Sequence, residues 1–249
     1  MTQNYSDIFR LRGEAHADAF LRYPEACREE GATILGLAAP RSGETLLDLP
    51  AASGYLSTYL DQPGVRVITV DPNPLFHAQC QSRGLESYLA PLHDLPFADG
   101  TVDVAVCLAG LHHESQRVPV FREIRRVLRP SGRLAIAEIA KDSAVARFFD
   151  DFVHNHNSLG HEGAFVDQGF IDDLRGAGFR LVADDTPNYH WNFTSREQMA
   201  DFLRLCFGID RASPAEIISA VQSYLGIDSA PDGRVGMRWS LRTLLALPK

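Results

Sequence analysis

The residues best suited to chemistry stand where apolar runs stop. Leu46-Leu47-Asp48-Leu49-Pro50 gives way to the small-residue turn Ala51-Ala52-Ser53-Gly54, and the β-branched run Val65 to Val70 closes on Asp71-Pro72. A carboxylate at such a strand end can accept both hydroxyl hydrogens of a ribose diol. His112 and His113 follow the strongest apolar run, Val102 to Leu108. A neutral imidazole there can take a proton near pH 7, or it can serve as an ordinary hydrogen-bonding histidine beside a helix. His154, His156, His161 and Glu162 form a second cluster. Its His-x-His spacing does not share a helix face, so no metal is expected there.

The elements that must position these residues alternate. After Pro40-Arg41-Ser42-Gly43 comes a short strand, Thr45 to Leu49, and then the turn and a helix expected from about Tyr55. The strand Val65 to Val70 is followed by a helix from Pro74 to Arg83. Leu85 to Leu89 reads as a weaker strand and Val102 to Leu108 as a strong one. An amphipathic helix, Val118 to Leu128, stops at Pro130-Ser131-Gly132, and the strand Arg133 to Glu138 follows. Strands separated by helix-length segments predict crossover units and a mostly parallel sheet covered on both faces. Asp7 to Leu37 has helical spacing. Further on, Gly169 to Ala177, Ser195 to Phe207 and Ala215 to Leu225 read as helices, Phe179 to Ala183 as a strand, and Gly236 to Leu245 as the last strand.

In this order the segment from Thr45 to Ala183 resembles the class I S-adenosylmethionine-dependent methyltransferases. The resemblance rests on the first loop with its leading Asp48, the acidic strand end at Asp71, Asp94-Leu95-Pro96-Phe97, Leu111-His112-His113, and Gly176-Ala177-Gly178-Phe179. Its most specific part is Phe121 to Leu134, around Pro130-Ser131-Gly132. It implies an α/β, Rossmann-like fold with a mostly parallel seven-stranded sheet, an N-terminal helical segment and a helical insertion before the last strand. A single domain over residues 1–249 is expected, with 1–40 as a helical lid and 186–230 as a lid or insertion.

The resemblance further implies S-adenosyl-L-methionine as cofactor and transfer of its methyl group to a small-molecule acceptor by in-line displacement. Asp48, Pro50, Ala52, Gly54 and Tyr55 are the expected cofactor residues on the first loop, joined by Asp71, Pro72, His93, Asp94 and Leu108, with Asp48 facing the methionine ammonium. Arg12 is a candidate partner for the cofactor carboxylate. Tyr5, Phe9, Tyr189, Trp191 and Phe193 are candidates for the acceptor's side, where aromatic faces also favour a cation. Catalysis falls to His112 or His113. Two alternatives stand beside this reading: intramolecular cyclisation of the cofactor releasing methylthioadenosine, and a non-catalytic binding subunit.

Two departures bear on affinity. Pro50, Ala52 and Gly54 occupy the three glycine positions of the family's first loop, so fewer amides can face a ligand. Pro91 stands where an acidic residue usually holds the adenine, leaving backbone and apolar contacts, or His93 or Asp94, to replace it. The same loop argues against a dinucleotide, whose pyrophosphate needs a glycine-rich turn at a helix N-terminus.

Composition narrows the field. With 24 Lys+Arg against 32 Asp+Glu the net charge is −8, which disfavours a nucleic-acid partner. The arginines from Arg117 to Arg133 alternate with apolar residues at helical spacing and read as a solvated helix face. Cys27, Cys80, Cys107 and Cys206 form no C-x-x-C pair, and no apolar run suits a membrane span, so a cytoplasmic protein is expected.

Overall fold

Apolar side chains alternate along the central strands, and that alternation decides which helix covers which face. The computed structural model describes residues 5–114 and 116–249, apart from the side chains of Ser6 and Asp7; of the expected N-terminal lid, residues 1–4 lie outside the described residues. The main sheet contains β1 (Thr45–Asp48), β2 (Arg66–Asp71), β3 (Glu86–Leu89), β4 (Val102–Leu108), β5 (Leu128–Glu138), β6 (Phe179–Asp185) and β10 (Arg242–Pro248). Its order is β3-β2-β1-β4-β5-β10-β6, parallel from β3 to β5, with β10 antiparallel to both neighbours. The direction of winding reverses between β1 and β4, the place where open α/β sheets leave a crevice beyond their carboxyl ends.

Leu46, Val104, Val106, Ala135 and Ala137 join one core with Ile34 and Leu35 of α2 (Arg28–Ala38). Leu47, Ala105, Cys107, Leu134 and Ile136 join the other with α4 (Arg117–Val127) and α7 (Gln168–Gly176). In α4, Val120, Phe121, Ile124 and Val127 form one buried stripe. The arginines around that stripe are not simply solvated: Arg117 pairs with Asp173, Arg126 with Glu123 and Asp99, Arg129 with Asp103 and Arg133 with Glu44. Four arginines of this basic stretch are therefore paired with carboxylates.

Two expected elements are corrected. The helix expected from Tyr55 is a short 3-10 turn, Tyr55–Tyr59. Ser57 and Thr58 donate their hydroxyls back to the carbonyls of Gly54 and Tyr55, a local pairing that competes with continued helix, and Pro63-Gly64 follows. The expected strand Gly236 to Leu245 is two strands in two sheets, β9 (Val235–Ser240) and β10, divided at the buried Leu241.

The insertion is not wholly helical either. β9 lies between β7 (Asn188–Phe193) and β8 (Ile227–Ser229) in an antiparallel sheet of its own. Tyr189, Trp191 and Phe193 alternate with the more exposed Asn188, His190 and Asn192, and they pair with Trp239, Met237 and Val235, all buried. Two helices, α8 (Arg196–Phe207) and α9 (Pro214–Tyr224), complete this layer, the second opened by a reciprocal Ser213–Glu216 capping box. α1 (Tyr5–Arg22) runs along α8 and over α3 (Pro74–Ser82). After β5 the chain enters α5 (Ala144–Arg147), a π-helical segment (Phe148–Val153) and α6 (His154–His156).

Two glycines of α2 give opposite predictions. A Cβ on Gly31 would stand 2.2 Å from the Tyr59 ring, whereas one on Gly36 would meet nothing within 4 Å. Gly36→Ala is expected to stabilise by about 0.5–1 kcal/mol through helix propensity. Gly31→Ala, the same change earlier in the helix, is expected to destabilise by about 1–3 kcal/mol through overpacking. Urea unfolding of both variants checks the pair, and equal signs would refute the packing.

Candidate active site

The crevice between β1 and β4 holds a cavity of about 120 Å³. Asp48, Pro50, Ala51 and Ala52 form one wall, and Leu108, Ala109, Gly110, His112 and His113 another. α1 roofs it with Tyr5, Phe9, Arg12 and His16, while Trp191, Trp239, Phe149 and His161 close the far side. Pro50 packs directly on the bare α-carbon of Gly110, where a Cβ would approach the proline ring to 2.4 Å. A substituted loop and a glycine on the facing strand thus fit each other.

Three buried carboxylates surround this space. Asp48 ends β1 with its Oδ2 shut off from solvent and without a hydrogen-bond partner. Burial first, then the charge of Asp71, pushes its pKa up to about 8. Asp71 accepts from the Tyr5 hydroxyl at 2.9 Å and the Ala52 amide at 2.8 Å on Oδ2, and from the Asn73 amide at 2.8 Å on Oδ1. Burial outweighs these bonds and raises it to about 7. Glu30, from α2, accepts from the Tyr189 hydroxyl and the Trp191 indole, each at 3.2 Å, and burial raises it to about 7.

At the opposite end, Glu138 finishes β5 and receives two donors. Its Oε1 accepts the Leu111 amide at 2.5 Å, and its Oε2 lies 2.8 Å from His112 Nδ1. With the carboxylate as acceptor, Nδ1 of His112 is the donor, and Nε2 is the ring nitrogen left for another partner. The His113 ring lies 4.0 Å from that of His112. Burial lowers the pKa of His113 well below the usual histidine value and that of His16 to about 4.

The fold therefore brings together Tyr5, Phe9, Arg12, Asp48, Pro50, Ala52, Tyr55, Leu108, His112, His113 and Trp191 along one cavity. Asp71 lies behind Tyr5, which takes the place a ligand hydroxyl would need. Gly54 is buried against Leu85 and Cys80 rather than on the cavity wall. Pro72, His93 and Asp94 are also outside the lining, the latter two exposed. Tyr189 and Phe193 are wall supports, Tyr189 through Glu30 and Phe193 through its contact with Phe202. Arg12 lines the cavity and also acts as a clamp: it donates to the Gly208 carbonyl at 2.6 Å, and to Ser158 and Asp210, tying α1 to the end of α8, while its Nε has no partner. Glu30, His16 and Trp239 were missed. The period-two spacing of Val235, Met237 and Trp239 is a readable strand signal, but nothing local marks Glu30 or His16 as facing a cavity.

Comparison with known proteins agrees with this architecture. Residues 47–136 match the family model described as a methyltransferase domain. An arsenite methyltransferase of Halobacterium salinarum is 34% identical over 58% of this chain and 39% of its own length. An O-methyltransferase of Aspergillus sclerotiorum, resE, is 32% identical over 62% of this chain and 60% of its own. The matched region thus spans only part of these relatives. Among solved structures, the [4+2]-cyclase SpnF superposes with a TM-score of 0.67 over 99% of this chain and 97% of its own, at 16% identity, which is a likeness of fold. A Rossmann-like sheet with this strand order and the family match together define the class. Residues 47–136 thus carry the match to the methyltransferase-domain family, with an atypical first loop, within a sheet of Rossmann-like order. No helix among the described residues is long and apolar enough to cross a membrane.

The raised pKa of Asp48 has a consequence for stability. A carboxyl with a pKa of 3.8 unfolded and about 8 folded keeps its proton in the folded state across that window while the unfolded chain releases it. Its contribution is fully present below about pH 4 and is lost as pH rises towards about 8. Asp48→Asn is therefore expected to melt above the wild type at pH 8 and beside it at pH 4. A constant difference across a pH series of melting curves would contradict this account.

Proposed function

We propose that this protein binds S-adenosylmethionine at the rim of β1, β2 and β4 and methylates a small, largely apolar acceptor. The observation that carries the reading is the unpartnered Oδ2 of Asp48 on the cavity that His112, held by Glu138, also lines. An ammonium group would satisfy that oxygen and draw Asp48 into its charged form. Asp71 suits ribose hydroxyls, because it already accepts a hydroxyl from Tyr5. Pro50 has no amide to offer, but Ala52 directs its amide to Asp71 and so keeps the carboxylate aimed at the rim. Tyr55 and Leu108 add apolar wall, and on this reading Gly54, Pro72, His93 and Asp94 border the adenine end rather than the reacting centre.

When bound, the cofactor supplies an electrophilic methyl group on a sulfonium. The chain's own residues have three tasks. The aromatic walls, Phe9, Phe149, Trp191 and Trp239, keep water away and hold the acceptor in attack geometry, the main source of acceleration in an in-line displacement. Their faces favour the cation by about 0.5–2 kcal/mol each. Where the acceptor carries a proton, Nε2 of His112 can take it while Glu138 steadies the imidazole through Nδ1.

The closed cavity is smaller than the ~300–1,000 Å³ of typical small-molecule sites. Entry of the cofactor therefore requires α1 to withdraw, with Tyr5 leaving Asp71. Tyr5→Phe removes the bond that opposes this and is expected to tighten adenosylhomocysteine binding about threefold to tenfold, the worth of one net hydrogen bond. Calorimetric titration reads it, and weaker binding would mean that Tyr5 supports the ligand instead.

The reading as a whole is tested with the same nucleoside. A hundredfold excess over Kd should stabilise the protein by about 2.7 kcal/mol in thermal melts. Incubation with adenosylmethionine and a panel of phenols and thiols should release adenosylhomocysteine only when an acceptor is present. Methylthioadenosine formed without acceptor would replace methyl transfer by cyclisation of the cofactor, and no thermal shift with either nucleoside would leave a binding subunit.

A further inference from the structure

The histidine end of the cavity carries more unused basicity than one proton acceptor requires. Nδ1 of His113 and both ring nitrogens of His161 are shut off from solvent and have no hydrogen-bond partner. A buried polar group left this way costs about 1–3 kcal/mol. Three such atoms in one corner call for an occupant.

His112, His113 and His161 each bring one ring nitrogen to within 4.8 Å of the others. His112 is held differently. Its Nδ1 is engaged by Glu138, and Glu138 is itself fixed by the Leu111 amide. A carboxylate behind an imidazole is the arrangement that sets tautomer and ring direction in metal-ligating histidines. The loop carrying His161 can approach closely because Gly163 has no side chain: a Cβ there would stand 3.1 Å from both the His112 and the His161 rings.

We propose that His112, His113 and His161 bind one divalent transition-metal ion of the Zn²⁺ type, with an open coordination position facing the cavity. Three imidazoles suit zinc and its first-row neighbours, whereas magnesium and calcium take oxygen ligands. Metal–nitrogen bonds of ~2.0–2.1 Å draw tetrahedral ligands to about 3.4 Å apart, so the rings close by at most about 1.4 Å on binding. A hydroxyl or thiol coordinated at the open position releases its proton to water more readily and keeps a lone pair for the incoming methyl group. His112 then holds the ion instead of taking the proton itself. Only this last use rests on the methyl-transfer reading; binding of the ion does not.

The test uses the purified full chain after treatment with a chelator, titrated with Co²⁺ as a spectroscopic probe and with Zn²⁺ in competition. The expected result is one Co²⁺ per chain with the strong visible absorption of low coordination number, displaced by Zn²⁺ and not by Mg²⁺. His161→Ala and His113→Ala should weaken binding at least tenfold and Glu138→Gln roughly 10–100-fold. His190→Ala, a surface histidine paired with Asp228, should bind as the wild type does. Circular dichroism reports folding, and His161→Gln keeps the volume should the alanine variant unfold. Absence of saturable binding, or equal affinity in the His161 variants, overturns the site. Metal binding without methyl transfer would preserve this site while removing the proposed reaction, and the reverse result would do the opposite.

Discussion

Two carboxylates at the ends of adjacent parallel strands, both closed from water, set the terms for the rest of this molecule. β1 and β2 run in register, so Asp48 and Asp71 emerge on one rim under a common roof. Each raises the cost of ionising in the low dielectric of the interior, and the charge of Asp71 adds to that of Asp48. The protein answers unequally. Asp71 receives three donors, one of them the hydroxyl of Tyr5 from the amino-terminal helix, whereas one oxygen of Asp48 receives none. The closed form is thus held partly by a bond that a ligand hydroxyl can replace, and it leaves a vacancy in hydrogen bonding that a cationic group can fill.

The same roof links the carboxylate end of the cavity to the histidine end. Tyr5 lies on Phe9, Phe9 on Phe76 and within ring contact of His113, so a movement of α1 at Asp71 is felt at the histidines. Arg12 limits that movement by binding the Gly208 carbonyl, where a left-handed glycine leaves room for the guanidinium. The additional antiparallel sheet supplies the opposite wall. Trp191 and Trp239 stack with centroids 4.3 Å apart, and Glu30 anchors Trp191 and Tyr189 from beneath. A stacked aromatic wall and the amino-terminal helix thus line the same cavity.

Much of this was legible in the chain itself, and the reason is local. The main sheet announced itself because buried parallel strands are uniformly apolar and end abruptly, so Asp48, Asp71 and the histidine pair stood out at their ends. The insertion was harder. Tyr189, Trp191 and Phe193 were visible as aromatics, but their period of two matters only once β9 is opposite them, and β9 runs into β10 with a single residue between. A continuous apolar stretch cannot say that its two halves belong to different sheets.

The sequence by itself determined the sheet, its covering helices and the rim carboxylates, because strand and helix periodicity are properties of neighbouring residues. Only the tertiary structure decided what those groups face. Tyr5 reaches Asp71, Arg12 reaches Gly208, His161 joins His112 and His113, and Glu30 enters the cavity wall through contacts between residues far apart in the chain. Burial and hydrogen-bond partners, which set the charge of each group, arise from those distant contacts and leave no periodic trace.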